Sequence, residues 1–397
     1  MKDSETIVVK RIPLITLILF WSGLVVVSNL YITIPLVPVF VKTFDATSSQ
    51  AALTSSSFSL AYAIGFLLFG PLLDRYGRKQ IILSGLVLLS FFSPLAGLFN
   101  NLTLLIIIRG IQGFAASTFA PAALAYVVEM FPPDKRVTTI GFISTGFLMA
   151  GIIGQVVSSL VTQLLNWSYV FYLLGAVYLL TTVLVALFIP KGIKHEIKGN
   201  SLDFFKQVKE IFKQKNLIYS YFITLMLLFS FVGMYTVFGS YLVRMFTLTS
   251  NDILLIRTAG IFGMLLSPFA GKLVAKYSTK TVLRGGLTFA VIGLVCLGVS
   301  TNLDVLIVMS VVFVAGISVI VPTLIAFIGQ LAGTARGIAV SLYTFILFLG
   351  ATLGPIIVIS VMETGNYALT FNLLALLLGI ALIVTFFIDT KISNERL

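Results

Sequence analysis

Charge is scarce in this chain of 397 residues: Asp, Glu, Lys and Arg together supply 10% of it, against 58% hydrophobic residues. Too little polar surface is left to coat a water-soluble domain of that length, so the composition excludes one. Cysteine occurs once, at Cys296, and histidine once, at His195, which excludes an intramolecular disulfide and gives no support to a metal site. A membrane-embedded enzyme would need clustered His, Asp, Glu or Cys, and the sequence clusters none; we expect no enzyme, no catalytic residue, no metal and no bound cofactor. No G-x-x-x-x-G-K-[ST] phosphate loop occurs either, so ATP hydrolysis is not expected and any work must be driven by a gradient, in the first place a proton gradient.

What the chain has in quantity is continuous apolar sequence. A bilayer core of about 30 Å takes roughly 20 apolar residues per helix. The runs predict twelve spans, at 14–40, 48–72, 80–99, 102–130, 137–165, 168–189, 217–246, 252–275, 282–301, 303–331, 337–362 and 367–389. The runs are unbroken rather than alternating in segments of about ten, which argues for helices over a membrane barrel, and glycine at 32 positions suits close helix packing in lipid. The expected fold is an all-α membrane protein of twelve transmembrane helices in two six-helix bundles: 1–189, a cytoplasmic linker at 190–216, and 217–397. In the linker, Leu202, Phe205, Val208 and Phe212 recur at helical spacing against Lys206, Lys209 and Lys213, the pattern of a basic helix lying on a membrane surface.

Basic residues stay on the cytoplasmic side of short loops. Of 26 Lys and Arg, all but Lys42, Arg109, Arg244 and Arg257 fall at the termini or in the even-to-odd loops, seven of them between Lys191 and Lys215. Both termini are therefore expected in the cytoplasm of a multi-pass protein of the cell (inner or plasma) membrane. The net charge of +12 is a topology signal that needs no nucleic-acid partner; the partners expected are the lipid bilayer and a small-molecule substrate, and the protein is expected to be a monomer. The amino end is basic and then apolar, but its run is too long for a cleaved signal and reads as a retained first helix.

The halves repeat. Gly271, Leu273, Tyr277 and Lys280 follow Gly70, Leu72, Tyr76 and Lys79 by 201 positions, and Pro322 follows Pro121 by the same interval. The first of these loops, Gly70-Pro71-Leu72-Leu73-Asp74-Arg75-Tyr76-Gly77-Arg78-Lys79, fits G-x-L-x-D-R-x-G-R-K and resembles the loop 2–3 signature of the major facilitator superfamily. Arg109-Gly110-Ile111-Gln112-Gly113-Phe114-Ala115-Ala116 is similar to that family's fourth-helix motif, R-x-x-Q-G-x-x-A. The resemblance covers essentially the whole chain and is greatest to the twelve-helix efflux branch, of drug:proton antiporter and arabinose-efflux-permease type. The antiporter signature of helix five is only partly present, as Gly151, Gly154, Gln155, Ser158 and Ser159, with Gln155 where proline is usual; a Gly-Pro occurs instead at Gly354-Pro355.

The resemblance implies that helices 1, 4, 7 and 10 line a central cavity, with 2, 5, 8 and 11 between the halves. On these the polar and aromatic residues near mid-depth are Asn29, Tyr31, Arg109, Gln112, Gln155, Tyr235, Tyr241 and Tyr343, the candidate substrate-binding set. Arg109 stands out, because a guanidinium inside a span is costly unless it meets water, an anion or helix carbonyls; Arg257, nearer a span end, either snorkels outward or meets substrate. The family also implies a conformational latch of Gly70, Asp74, Arg75, Gly77, Arg78 and Glu129, with Asp74 facing the amino end of helix eleven and Arg75 or Arg78 meeting Glu129. Of fourteen acidic residues none lies at mid-membrane, and helix one offers Asn29 where a proton-coupled carrier often places a carboxylate. Trp167 reads as an interfacial anchor. The expected function is secondary active export of a small organic solute by alternating access, as proton-coupled antiport, with a sugar or organic-anion facilitator lacking proton coupling as the alternative and a non-transporting sensor as a remote one. The cavity's charge balance favours neutral or anionic solutes over lipophilic cations.

Overall fold

The computed structural model describes residues 2–191, 208–362 and 364–388, the side chains of 2–10, 48–49, 67, 70–71, 73–75, 250–251 and 334 excepted. The surface helix expected across 190–216 therefore lies mostly outside the described residues, as do His195 and the tail; its end, 208–213, is helical with Ile211 buried. The described residues are helical with no strand. Eleven helical segments are long and apolar enough to cross a membrane, and Ser48–Tyr76, at 29 residues, has the length of a twelfth.

The chain divides into two compact units, 1–132 with 146–199, and 133–145 with 200–397. The first holds α1 (Lys2–Tyr31), α2 (Val37–Thr43), α3 (Ser48–Tyr76), α4 (Arg78–Leu98), α5 (Leu102–Ala116), α6 (Phe119–Met130), the later part of α7 (Pro133–Leu164) and α8 (Trp167–Phe188). The second holds the first turns of α7 with α9 (Lys215–Phe246), α10 (Ser250–Thr258), α11 (Gly260–Met264), α12 (Ala270–Tyr277), α13 (Thr279–Val299), α14 (Leu303–Leu331), α15 (Arg336–Met362) and α16 (Tyr367–Val384).

Three predicted spans are broken, each at proline, which lacks an N–H and crowds the carbonyl four residues back. The first span, expected to run to 40, stops at Tyr31 and restarts as α2, with Pro35 in the gap and Pro38 in the first turn of the new helix. The fourth divides at Ser117 and Thr118, four and three residues before Pro121. Their hydroxyls take up the slack, Ser117 donating to the Phe114 carbonyl at 2.7 Å and Thr118 to that of Ala115 at 2.8 Å. The eighth breaks twice, at Ala259 between α10 and α11, away from any proline, and around Pro268, where a 3-10 turn at Ser267–Phe269 leads into α12. In lipid a freed carbonyl must find a donor: the Met264 carbonyl, four before Pro268, receives the Thr145 hydroxyl at 3.1 Å. Pro322 and Pro355 lie inside unbroken helices.

The duplication written in the sequence recurs in the backbone. Asn101 caps α5 by accepting from Leu104 N–H at 3.0 Å; Asn302, 201 residues on, caps α14 by accepting from Asp304 N–H at 2.9 Å. Gly77, before α4, has φ 88° and ψ 145°, and its counterpart Ser278, before α13, has φ 80° and ψ 156°. Close helix approaches recur as well: in the first unit Gly154 of α7 sits on the Ser28 carbonyl of α1, and in the second Gly354 of α15 sits on the Phe229 carbonyl of α9. Trp167, expected at the membrane interface, is 4% exposed and packs edge-on against Phe40 and Phe44, so it serves the core beneath α2 rather than the surface.

Candidate functional site

Helix α5 buries Leu105, Ile108, Arg109, Gln112, Gly113 and Ala116 and exposes Leu104, Ile107, Ile111 and Phe114, so its amphipathic stripe carries a guanidinium inward among apolar groups. Gly113 makes this possible: a Cβ there would lie 2.2 Å from the Phe58 carbonyl, so only glycine lets α5 come this close to α3. At that separation Arg109 Nε donates to the Thr54 carbonyl at 3.2 Å, and the guanidinium carbon stands 4.3 Å from the centre of the Phe58 ring.

The remaining donors of Arg109 turn to α1. Nη2 donates to the Asn29 carbonyl at 2.8 Å, and Nη1 to Asn29 Oδ1 and, at 2.8 Å, to Gln112 Oε1. The unwinding of α1 beyond Tyr31, ahead of Pro35, supplies the acceptor, since among the described residues the Thr33 N–H makes no bond to the Asn29 carbonyl. The same unwinding frees the Ile32 carbonyl, which takes the Ser158 hydroxyl of α7 at 2.7 Å. Gln112 is oriented in turn by Ser93, to whose Oγ its Nε2 donates at 3.1 Å, and the Asn29 amide faces the Tyr178 hydroxyl.

Asn29, Arg109 and Gln112 are all 0% exposed. The cluster thus holds a cation whose acceptors are all uncharged: two helix carbonyls, two side-chain amides and a ring face. Each is a dipole aimed at the charge, the arrangement that lets a guanidinium persist in a medium of low dielectric.

The other candidates are placed apart from this cluster. Tyr31 is half-buried and packs on Gly151 beside Phe147 and Ile153. Gln155 donates to the Gly151 carbonyl of its own helix at 2.6 Å. In the second unit Tyr235 carries Arg257, which donates to the Tyr235 carbonyl at 2.8 Å and stands 5.8 Å from its ring; Arg257 is turned inward and does not snorkel. Tyr343 is fully buried, and its hydroxyl has no hydrogen-bond partner among the described residues, a polar group left open in an apolar interior. Tyr241, expected near mid-depth, belongs to the end of its bundle: its hydroxyl donates to the Ser300 carbonyl at 3.2 Å, and it lines a cleft of about 500 Å³ with Tyr367 and Phe371. It lies in the last turns of α9, too near the helix end to reach the middle.

Of the latch residues, Gly70, Asp74 and Arg75 lie outside the described side chains. Gly77 supplies the positive φ that turns the chain from α3 into α4, and Arg78, the first residue of α4, meets Glu129 at the end of α6 with Nε 3.1 Å from Oε2. The two side chains are 4% and 10% exposed, a buried ion pair within the first unit. Lys79 ties the same turn to the end of α8 by donating to the Ala186 carbonyl at 2.7 Å. Thr54, Phe58, Ser93 and Tyr178 complete the Arg109 cluster and were not among the expected site residues. Only the stripe Phe58, Tyr62, Phe66 on α3 at four-residue spacing, the first two rings stacked and the last two edge to face, carries a visible signal in the sequence.

Comparison with known proteins agrees with this architecture. The family model of the Major Facilitator Superfamily matches residues 19–263 and 246–396. An uncharacterized transporter of Buchnera aphidicola subsp. Schizaphis graminum is 29% identical over 87% of this chain and 84% of its own length. The quinolone resistance protein NorA of Staphylococcus aureus (strain MRSA252) is 25% identical over 86% of this chain and 88% of its own. Among solved structures, the proton:xylose symporter XylE bound to 6-bromo-6-deoxy-D-glucose superposes with a TM-score of 0.78 at 15% identity, covering 96% of each chain. The human organic anion transporter MFSD10 gives 0.71 at 15% identity, covering 94% of this chain and 99% of its own.

Proposed function

The chain belongs to the Major Facilitator Superfamily and is a transporter of its efflux branch, and from that premise we propose that it exports a small neutral or anionic organic solute by alternating access, in antiport with protons. It does so as a monomer in the cell membrane, with both termini in the cytoplasm. The observation that carries the solute class is the Arg109 cluster: a full positive charge held by neutral acceptors, with no carboxylate among its described contacts. A fixed cation in a low-dielectric bundle attracts anions and repels lipophilic cations. The likeness to NorA over most of both chains supports the outward direction.

In this reading Arg109 acts through the bundle it ties together. Its bonds join α1, α3 and α5 in one rigid group, and Tyr31 and Gln155 of the same unit supply a ring and an amide suited to an amphipathic solute. Glu129 is the proton carrier. Its carboxylate is nearly enclosed beside Arg78; taking up a proton would cancel that pairing and loosen the 70–79 turn, whereas the charged pair holds it. Loop 70–79, with Asp74, is then the latch of the cycle.

One specific feature favours the alternative of a facilitator without proton coupling: the Arg109 cluster has no carboxylate or imidazole among its described contacts. Flux into proteoliposomes under imposed pH and voltage gradients, against a panel of drugs, sugars and organic anions, tests both readings. Flux of a neutral or anionic solute that rises with an opposing proton gradient supports antiport. Flux indifferent to pH selects the facilitator, and tight, voltage-driven transport of quaternary ammonium dyes would overturn the solute class.

A further inference from the structure

The second unit has a cleft of about 420 Å³ that the transport reading does not use, formed where α12, α13 and α14 diverge. Leu266, Leu273, Tyr277, Gly285, Phe289 and Gly316 are among its walls, which are almost wholly apolar. Its rim is exposed, Phe289 by 60%, Tyr277 by 49% and Leu266 by 45%, and it continues into a band of exposed Phe262, Phe269 and Ile292. In a membrane-spanning bundle such a band faces acyl chains. The floor opens at Gly285, where an added Cβ would meet nothing within 4 Å; the missing side chain leaves the space open.

One end of the cleft is basic. Tyr277 and Thr281 line it there, with Lys276 Nζ 5.0 Å from the centre of the Tyr277 ring and Lys280 next to Thr281. No Asp or Glu occurs between Asp252 and Asp304, and neither lysine forms a salt bridge with a described carboxylate. The corresponding loop of the first half carries Asp74; the position 201 residues later is Ala275. The second loop thus has no acidic member and two of the three cations, Lys276 and Lys280 where the first has Arg75 and Lys79, beside an apolar slot.

We propose that this cleft binds one acidic phospholipid, an acyl chain lying along Gly285 between α12, α13 and α14 and the phosphate meeting Lys276 and Lys280. Shape selects a chain, because the slot is long, apolar and open sideways to lipid. Charge selects the headgroup, because two ammonium groups without carboxylate partners favour a net negative head over a zwitterionic one. The inference rests on the second unit's own residues and stands whether or not the export reading does.

The test is native mass spectrometry of the full chain in detergent, titrated separately with dioleoyl phosphatidylglycerol and dioleoyl phosphatidylcholine. The expected result is a first phosphatidylglycerol adduct at about tenfold lower lipid concentration than the phosphatidylcholine adduct. Gly285→Leu should remove that first adduct by filling the slot. The substitution meets open space and replaces glycine within a helix, so its thermal transition should be no lower than the parent's. Independently of that variant, Lys276→Gln with Lys280→Gln should bring the two lipids level. Equal affinity for both lipids in the parent, or a phosphatidylglycerol preference that survives the paired lysine substitutions, would overturn the proposal.

Discussion

Ser278 occupies a backbone conformation that its counterpart Gly77 adopts freely. At φ 80° and ψ 156° a Cβ crowds the neighbouring peptide, and residues other than glycine held in this region carry on the order of 1–3 kcal/mol of strain. Ser278→Gly removes that strain and returns roughly 0.5–1 kcal/mol through the greater freedom of the unfolded chain. It also loses an exposed hydroxyl contact to Thr281 Oγ1 at 3.2 Å, a small term in water. The net is a stabilisation of about 1 kcal/mol, or about 2–4 °C in the transition of a unit this size. The lone Cys296 supplies the assay, since it lies on α13, the helix that Ser278 precedes: a thiol-reactive dye reports when that helix opens. Ser278→Ala keeps the Cβ and loses the hydroxyl, so it should melt at or slightly below the parent temperature. A Ser278→Gly protein that melts below the parent, or together with Ser278→Ala, would refute the strain argument and with it the claim that the two loops share one geometry.

Arg109→Lys should lower both the melting temperature and the flux, the latter by more than tenfold, because an ammonium cannot span the Thr54 and Asn29 carbonyls as the planar fork does; unchanged melting with abolished flux would make Arg109 a direct solute ligand instead. Gly113→Ala should cost about 1–3 kcal/mol in thermal stability by forcing α5 off the Phe58 carbonyl, whereas the same change at Gly110, whose Cβ would stand 4.0 Å from its nearest neighbour, should be neutral. Breaking the buried Arg78–Glu129 pair with either Arg78→Gln or Glu129→Gln should cost about 3–5 kcal/mol, and a double-mutant cycle should show the two losses to be strongly non-additive; additive losses would mean the pair is not coupled.

Most of the architecture was legible in the sequence, because membrane spans are written in length and apolarity alone. The span at 303–331 coincides with α14, and the other unbroken spans shift by a few residues. What hydropathy could not show were the breaks at Pro35, Pro121 and Pro268, since a proline in an apolar run bends, splits or leaves a helix according to its neighbours: Pro121 divides its span while Pro322, its repeat partner, does not. The site was half legible. Arg109, Gln112 and Asn29 stood out as polar residues in apolar surroundings, but their mutual contacts depend on carbonyls freed at the end of α1 and on the close approach at Gly113, facts of three-dimensional packing. Tyr241 lies away from mid-depth because α9 ends at Phe246, and Trp167 is buried because α2, set off from α1 at Pro35, packs Phe40 against it, neither of which hydropathy displays.

The central claim, a carrier that exchanges its solute against protons through Glu129, is tested most directly by proton movement itself. Proteoliposomes holding a preformed acid interior and a trapped pH dye would receive a transported solute on the outside. The account predicts that the solute dissipates the gradient in step with its own uptake and that Glu129→Gln uncouples the two, as does removal of the solute. Solute uptake at the full rate with no change in the dye signal, or full coupling in Glu129→Gln, would contradict it.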